Sequence, residues 1–316
     1  MNRALWMKAV GESRIMLAGM GLILFAFCWL RVWIVGLLPM RNFETILQQV
    51  PQIQQFLPVS ISQLLTYNGR IALTFEELIV VMSFAVWSIA RGSDTVSGEL
   101  GRGTLEMVLA QPVSRLAFFW SKTIVSLAGL LVMAGLVWLG IYVGIQLTTV
   151  PKPVPVLGLG PAAALLVDPP TVRTPLSHEV RAVTFLPAAI NLLSLGVFLL
   201  GLATFFSSWD RYRWRTIGLA SGVFAVAIVV KIVALADERF SWLRSFTFLT
   251  AYEPQRVVQI AANHPEQLWR LWIRQVPTHA THLGPLGMNL LLVGLGLLFL
   301  AAASVIFTRR DLPAPC

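Results

Sequence analysis

The chain has 316 residues, of which 56% are hydrophobic and only 12% charged, and its formal net charge is +9. Soluble domains carry about 25% charged and about 45–50% apolar residues, so the excess apolar surface must lie in lipid rather than in a protein core. The basic balance suits loops that face anionic headgroups. A nucleic-acid partner is not expected, because no basic stripe with interleaved aromatics occurs in a soluble-looking segment.

A membrane-crossing helix needs about 20 mostly apolar residues. Six stretches qualify: 15–38, 71–90, 117–147, 186–208, 217–236 and 286–307. The spacing therefore predicts an all-α integral membrane protein, a single transmembrane domain over 1–316. Before the first span, residues 1–14 (MNRALWMKAVGESR) read as an amphipathic surface segment with Leu5, Trp6, Ala9 and Val10 towards lipid. That first apolar run is too long for a cleavable signal peptide and no small-residue cleavage site follows it. The third span is longer than a bilayer requires, so its first turns are expected to project.

Arg and Lys near the span ends set the orientation. Arg3, Lys8, Arg14, Arg91, Arg102, Arg115, Arg211, Arg213, Arg215, Arg309 and Arg310 crowd one side. That side, with both termini and segment 91–115, is expected to be cytoplasmic, in the inner cell membrane. The outer loops are then 39–70, 149–185 and 237–285. Residues 149–185 are rich in Pro and Gly and favour extended chain. Around 265–277, Leu268, Trp269, Leu271, Trp272 and Val276 fall near helical spacing and predict a short interfacial helix.

Several residues in or near the spans bear on chemistry. Glu76, Glu77, Arg31 and Lys231 lie towards the outer ends of spans, where the expected reading is snorkelling cations with a Glu paired to one of them. A proton or substrate relay is the rival reading. Gly140 with Gly144, and Gly218 with Gly222, are G-x-x-x-G pairs that let helices approach closely. The four histidines, 178, 264, 279 and 282, fall in outer loops and offer no third metal ligand. Cys28 and Cys316 form no disulfide framework. No catalytic, cofactor-binding or metal-ligating set is expected.

The segment RGSDTVSGELGRGTLEMVLAQPVSR, 91–115, interrupts the apolar pattern. Leu105, Val108, Leu109 and Pro112 follow an i, i+3, i+4, i+7 spacing, one apolar stripe of a short helix. Gly98, Gly101 and Gly103 break the chain ahead of it, and Pro112 limits it. Such a stripe needs a cover, either the membrane surface or a groove in a partner.

The order of Glu99, Gly103, Thr104, Leu105, Glu106, Leu109, Pro112, Val113, Ser114 and Arg115 resembles the cytoplasmic segment of ABC type-2 transporter permeases. The resemblance implies six spans, both termini inside, and a segment between spans two and three that docks on a separate ATP-binding subunit. It also implies a dimer of permeases, with a second copy or a homologue in the bilayer. Within this frame Glu99 and Glu106 are the expected polar contacts, and Leu105, Val108 and Leu109 the apolar ones. Arg115 is the expected anchor at the membrane surface. A phosphate-cradling G-x-x-x-x-G-K-[ST] loop does not occur; SKT at 121–123 lacks both glycines. ATP is therefore expected on the partner. A membrane-embedded enzyme and a non-transporting scaffold stay open as other classes.

Overall fold

The computed structural model describes residues 3–37, 66–153, 171–236, 238–274 and 281–310. Six long helices are apolar enough to cross a membrane. Their main α-helices are α1 (Arg3–Leu37), α2 (Leu78–Ser93, within a span of Tyr67–Gly101), α3 (Arg115–Leu147), α4 (Leu186–Trp209, within Ala182–Trp209), α5 (Arg213–Ala236) and α6 (Pro285–Arg309). Pro187 and Pro285 stand in the first turns of α4 and α6, where a missing N–H costs nothing.

The N-terminal segment is not a separate surface helix. It is the start of α1, with Leu5 and Ala9 buried against the bundle and Val10 exposed. Nothing breaks the chain there, since no proline precedes Leu37 and a lone Gly11 is tolerated. With 35 residues, α1 is about 52 Å long, well beyond the roughly 30 Å hydrocarbon core. Its charged first turns therefore project, as do those of the 33-residue α3.

The second span is segmented. A helix at Tyr67–Ala72 and a 3-10 turn at Leu73–Glu76 precede α2, and a π-helical turn at Asp94–Gly98 follows it. Gly103, at φ 70°, turns the chain into a short helix at Thr104–Leu109; this left-handed conformation favours glycine. On the opposite end of the bundle, β1 (Thr149–Pro153) pairs antiparallel with β2 (Thr171–Pro175), with Thr149 opposite Pro175. The helix expected over 265–277 does not form. Pro265–Gln267 is a 3-10 turn and β3 (Trp272–Arg274) pairs with β4 (Thr281–Leu283). Pro265 ends the helical path, and the aromatic and β-branched WIR run fits a ladder. The helix in this region lies earlier, at Pro254–Asn263. Val276 and His279 are outside the described residues.

At the centre stands α4, 67% of whose apolar stretch is buried, against 22% for α1 and for α5. It packs on α6, α2, α3 and α5. The pair α1 and α3 runs parallel through Gly140 and Gly144: a Cβ on Gly140 would lie 2.6 Å from the Phe25 carbonyl oxygen, and one on Gly144 2.6 Å from Val32 Cβ. A Cβ on Gly201 of α4 would run into the Gly296 backbone of α6. The second G-x-x-x-G pair behaves differently. Gly218 and Gly222 have nothing within 4 Å of a built Cβ, so they pack no helix of this chain among the described residues.

The charges at this far end are partnered. Arg31 meets Glu77 at 2.6 Å, and Lys231 Nζ donates to the carbonyls of Leu249 (3.1 Å) and Tyr252 (2.9 Å). The Tyr252 hydroxyl donates to the Phe75 carbonyl, and burial pushes that phenol well above its ordinary range. Pairing of a Glu with a basic residue is thus observed. The close glycine contacts yield a prediction. Gly144→Val and Gly201→Val should each lower stability by about 1–3 kcal/mol through overpacking, and Gly218→Val should stay within about 0.5 kcal/mol. Melting temperatures in detergent check this, and an equal loss at Gly218 would contradict the packing.

Candidate functional site

At the end of the bundle that carries the termini, four elements converge on one buried ammonium. Lys122, two turns into α3, is 3% exposed. Its Nζ lies 3.3 Å from Glu12 Oε2 of α1 and 3.2 Å from Asp94 Oδ2 of the π-helical turn. The third partner is Glu99 Oε1, from the short helix that follows. The ammonium donates to Asp94 and Glu99, and Glu12 pairs with it by charge. Carboxylate oxygens of Glu12, Asp94 and Glu99 lie within 4.8 Å of one another, a grouping that elsewhere suggests a hard cation. Here the lysine ammonium supplies the positive charge.

Further cations surround the same carboxylates. Lys8 of α1 reaches Glu99 Oε2 at 3.2 Å. Arg102 spans Asp94 (2.7 Å) and Glu99 (3.1 Å), and Arg213 at the start of α5 approaches Asp94 at 3.5 Å. The hydrogen-bonded Asp94 carboxylate pushes the Arg102 guanidinium still further above its already high range. Four cations thus pair with three anions, so each buried carboxylate has its charge offset. That balance is what lets charge sit at low exposure near a bilayer.

The backbone beneath is built for the same purpose. A π-helical turn shifts the hydrogen-bond ladder by one residue and frees backbone groups. Ser207 of α4 takes them up: its Oγ accepts from the N–H of Val96 (3.2 Å) and Ser97 (2.9 Å) and donates to the Ser93 carbonyl (3.0 Å). Ser97 Oγ stands 3.3 Å from Thr216 Oγ1 of α5. The turn that carries Asp94 is therefore fastened to α4 and α5.

The residues singled out in the sequence divide by placement. Glu99, expected as an outward polar contact, is fully buried and engaged by Lys122, Lys8, Arg102 and Thr104. Leu105, expected to face a partner, is also fully buried, among Leu5, Val96, Phe118, Phe119, Ala303 and Phe307. Val108 packs against the same cluster. Leu105 and Val108 thus have a cover within their own chain and, with Glu99, hold the segment in place. The backbone of Glu106 and Leu109 is helical; their side chains lie outside the described residues. Ser114 caps α3, its Oγ accepting from Ala117 N–H at 3.2 Å. Arg115 donates to the carbonyls of Arg310 (2.7 Å) and Thr308 (3.3 Å) at the end of α6, where a cation suits the helix C-terminus. Arg310 in turn donates to Ser208 and Asp210 at the end of α4, each at 3.1 Å. Exposed on the outside are Arg102, Met107, Ala110, Gln111 and Pro112.

Sequence reasoning missed Lys122, Asp94, Glu12 and Lys8. The signal was a lone lysine followed by some twenty-five apolar and small residues, since a charge so placed needs a partner. Its removal should leave Asp94 and Glu99 buried with less compensating charge, from Lys8, Arg102 and Arg213 alone. Lys122→Met is expected to cost up to about 3–5 kcal/mol, and Lys122→Met with Glu99→Gln should cost less than Lys122→Met alone, because one under-compensated buried charge is gone. Thermal unfolding in detergent checks both, and a Lys122→Met protein that melts with the parent would refute the network.

Comparison with known proteins places the chain in a family. The sequence model described as ABC-2 family transporter protein matches residues 12–312. No curated protein and no solved structure matches the chain. With a family match over nearly the whole length and six helices able to span a bilayer, the chain belongs to the ABC-2 family of transporter proteins and is a multi-pass membrane component of an ABC transporter.

Proposed function

We propose that this chain is the permease of an exporter-like ABC transporter, driven by ATP hydrolysed on a separate subunit, and that segment 93–115 receives the motion of that subunit. The permease works as a dimer in the inner cell membrane, with its termini and this segment in the cytoplasm. The observation that carries the reading is the double character of the segment. Its inner side is clamped to α1, α3 and α5 by ion pairs and to α6 by Leu105, while Met107, Ala110 and Gln111 are left facing outwards.

Such an element transmits force well. A push on the outer side of the Thr104–Leu109 helix does not fold it against a soft loop. It loads Glu99 and Asp94, and through Lys122 it loads α1 and α3 together. The basic residues clustered at this end support the cytoplasmic orientation. ATP is bound by the partner, and the permease contributes positioning rather than bond-making.

Two variants test the reading. Met107 is 71% exposed, so Met107→Asp should leave folding within about 0.5 kcal/mol of the parent. Glu106→Lys reverses a charge on the same short helix. Both are expected to insert in the membrane normally, yet to retain the ATP-binding subunit at least tenfold more weakly on co-purification, as like charges and a desolvated carboxylate meet at an interface. Normal retention of the ATPase by both variants would remove the segment from the coupling role.

A further inference from the structure

A groove of about 330 Å³ runs between α2 and α5, walled by Met82, Val86 and Ile89 on one side and by Ile217, Phe224 and Ile228 on the other. Three alanines and Ser221 complete the lining, and Ser221 is its one polar side chain. Val86 and Ile217 are exposed, so this apolar wall meets whatever surrounds the bundle. From Ile217 to Ile228 the α5 side rises about 16 Å, at 1.5 Å per residue. That is close to half of the roughly 30 Å hydrocarbon core, the depth of one leaflet. The volume lies within the roughly 300–1,000 Å³ of ligand-binding clefts.

Positive charge gathers at the end of the groove nearest the Lys122 cluster. Arg213, one turn before Ile217, lies at this mouth. Its Nη2 donates to the carbonyl of the lining residue Ala90 at 3.4 Å and its Nε to Ser93 Oγ at 3.5 Å, while Nη1 stands 3.5 Å from Asp94. A guanidinium carries five N–H groups, so two are left over, and the Arg213 side chain is 42% exposed. Arg211 and Arg215 on the same turn are exposed and have no ion pair among the described residues. Arg215 lies over the rings of Tyr212 (5.1 Å) and Trp214 (5.3 Å), a stacking that holds the cation by its face and leaves its edge donors free. The turn's one acid, Asp210, accepts from the Tyr212 N–H at 3.0 Å. Trp209 and Trp214 are exposed beside it, as aromatic residues are at the headgroup level.

An apolar trough one leaflet deep, with exposed cations at its mouth, has the chemistry of one kind of occupant. We infer that the groove holds an acyl chain of an anionic phospholipid, whose phosphate accepts from Arg213 in the positive field of Arg211 and Arg215. Arginine and phosphate form charge-assisted hydrogen bonds, and basic residues at a membrane surface attract anionic lipid. The N-terminal end of the 24-residue α5 favours an anion at the same place. A zwitterionic lipid brings no net charge to this field. A second copy of the chain suits the groove less well. Related by a two-fold axis along the membrane normal, it would set its own Arg211–Arg215 turn against this one, and like charges so placed repel. The inference does not depend on the coupling reading, because no ATP-binding subunit enters it.

The experiment is native mass spectrometry of the delipidated full chain in detergent, titrated with phosphatidylglycerol or with phosphatidylcholine of identical acyl chains. The parent is expected to bind its first phosphatidylglycerol at least tenfold more tightly than phosphatidylcholine. Arg213→Gln should lower that affinity at least tenfold. Ser221→Phe, which fills the groove from an exposed position and keeps every charge, should do the same and keeps the test decisive if Arg213→Gln harms folding. Arg3→Gln with Arg14→Gln removes two exposed charges from the same end of the bundle and should leave the affinity within about twofold of the parent. Met107→Asp should bind phosphatidylglycerol as the parent does whatever happens to ATPase retention, which separates this inference from the coupling one. Equal binding of the two lipids by the parent would overturn the inference. A loss in the Arg3 and Arg14 variant as large as in Arg213→Gln would overturn it too, by assigning the attraction to the general charge of this end. So would phosphatidylglycerol bound by Ser221→Phe as by the parent, or a dimer that Ser221→Phe splits with no change in bound lipid, since a second copy would then cover the groove.

Discussion

The fixed point of this molecule is the ammonium of Lys122 held by Glu12, Asp94 and Glu99. A charge at 3% exposure is stable only when it is paired and hydrogen-bonded, and here Asp94 and Glu99 accept from the ammonium while Glu12 pairs with it. The requirement runs in both directions. Three carboxylates so close together would repel one another without the lysine, so α1, the π-helical turn and α3 cannot separate at this end without exposing charge. The cluster sits on the charged first turns of α1 and α3, two helices longer than the hydrocarbon is thick.

From that point the fastening spreads through neighbours of different chemistry. Ser207 satisfies the π-helical turn from α4, Leu105 seats the Thr104–Leu109 helix among Phe118, Phe119 and Phe307, and Arg115 joins the ends of α3 and α6. Ion pairs, a hydroxyl bridge, an aromatic cluster and a helix cap thus bind one short segment to all the surrounding spans. The far end is held differently, by Arg31 with Glu77 and by Lys231 on loop carbonyls. The two ends are therefore separate constructions joined by closely packed helices, with α4 at the centre.

The six spans were legible because a bilayer imposes one coarse rule, about 20 apolar residues in a row. The π-helical turn, the strands and the direction of the apolar stripe were not. A stripe at i, i+3, i+4 says that a helix has an apolar side, and it does not say whose surface covers it. Leu105 turned inwards because aromatic residues from α3 and α6 gather beneath it, a fact of tertiary structure. The charge cluster was hidden for the same reason: Lys8 and Glu99 are 91 positions apart. The two G-x-x-x-G pairs make the limit plain. Gly140 and Gly144 meet α1, Gly218 and Gly222 meet nothing among the described residues, and the motif is the same. Around 265–277 the apolar residues suited a helix and a strand alike, and Pro265 with the β3–β4 pairing decided for the strand.

Hydrogen exchange read by mass spectrometry tests the central claim most directly, because it reports local opening along the whole backbone. The parent and Lys122→Met would be compared in the same nanodiscs. If the ammonium clamps the segment, protection falls together in residues 3–14 and 94–109, while α4 and α6 keep theirs. Protection unchanged in both segments, or lost only in the turns next to residue 122, would mean that Lys122 does not hold this end of the bundle together.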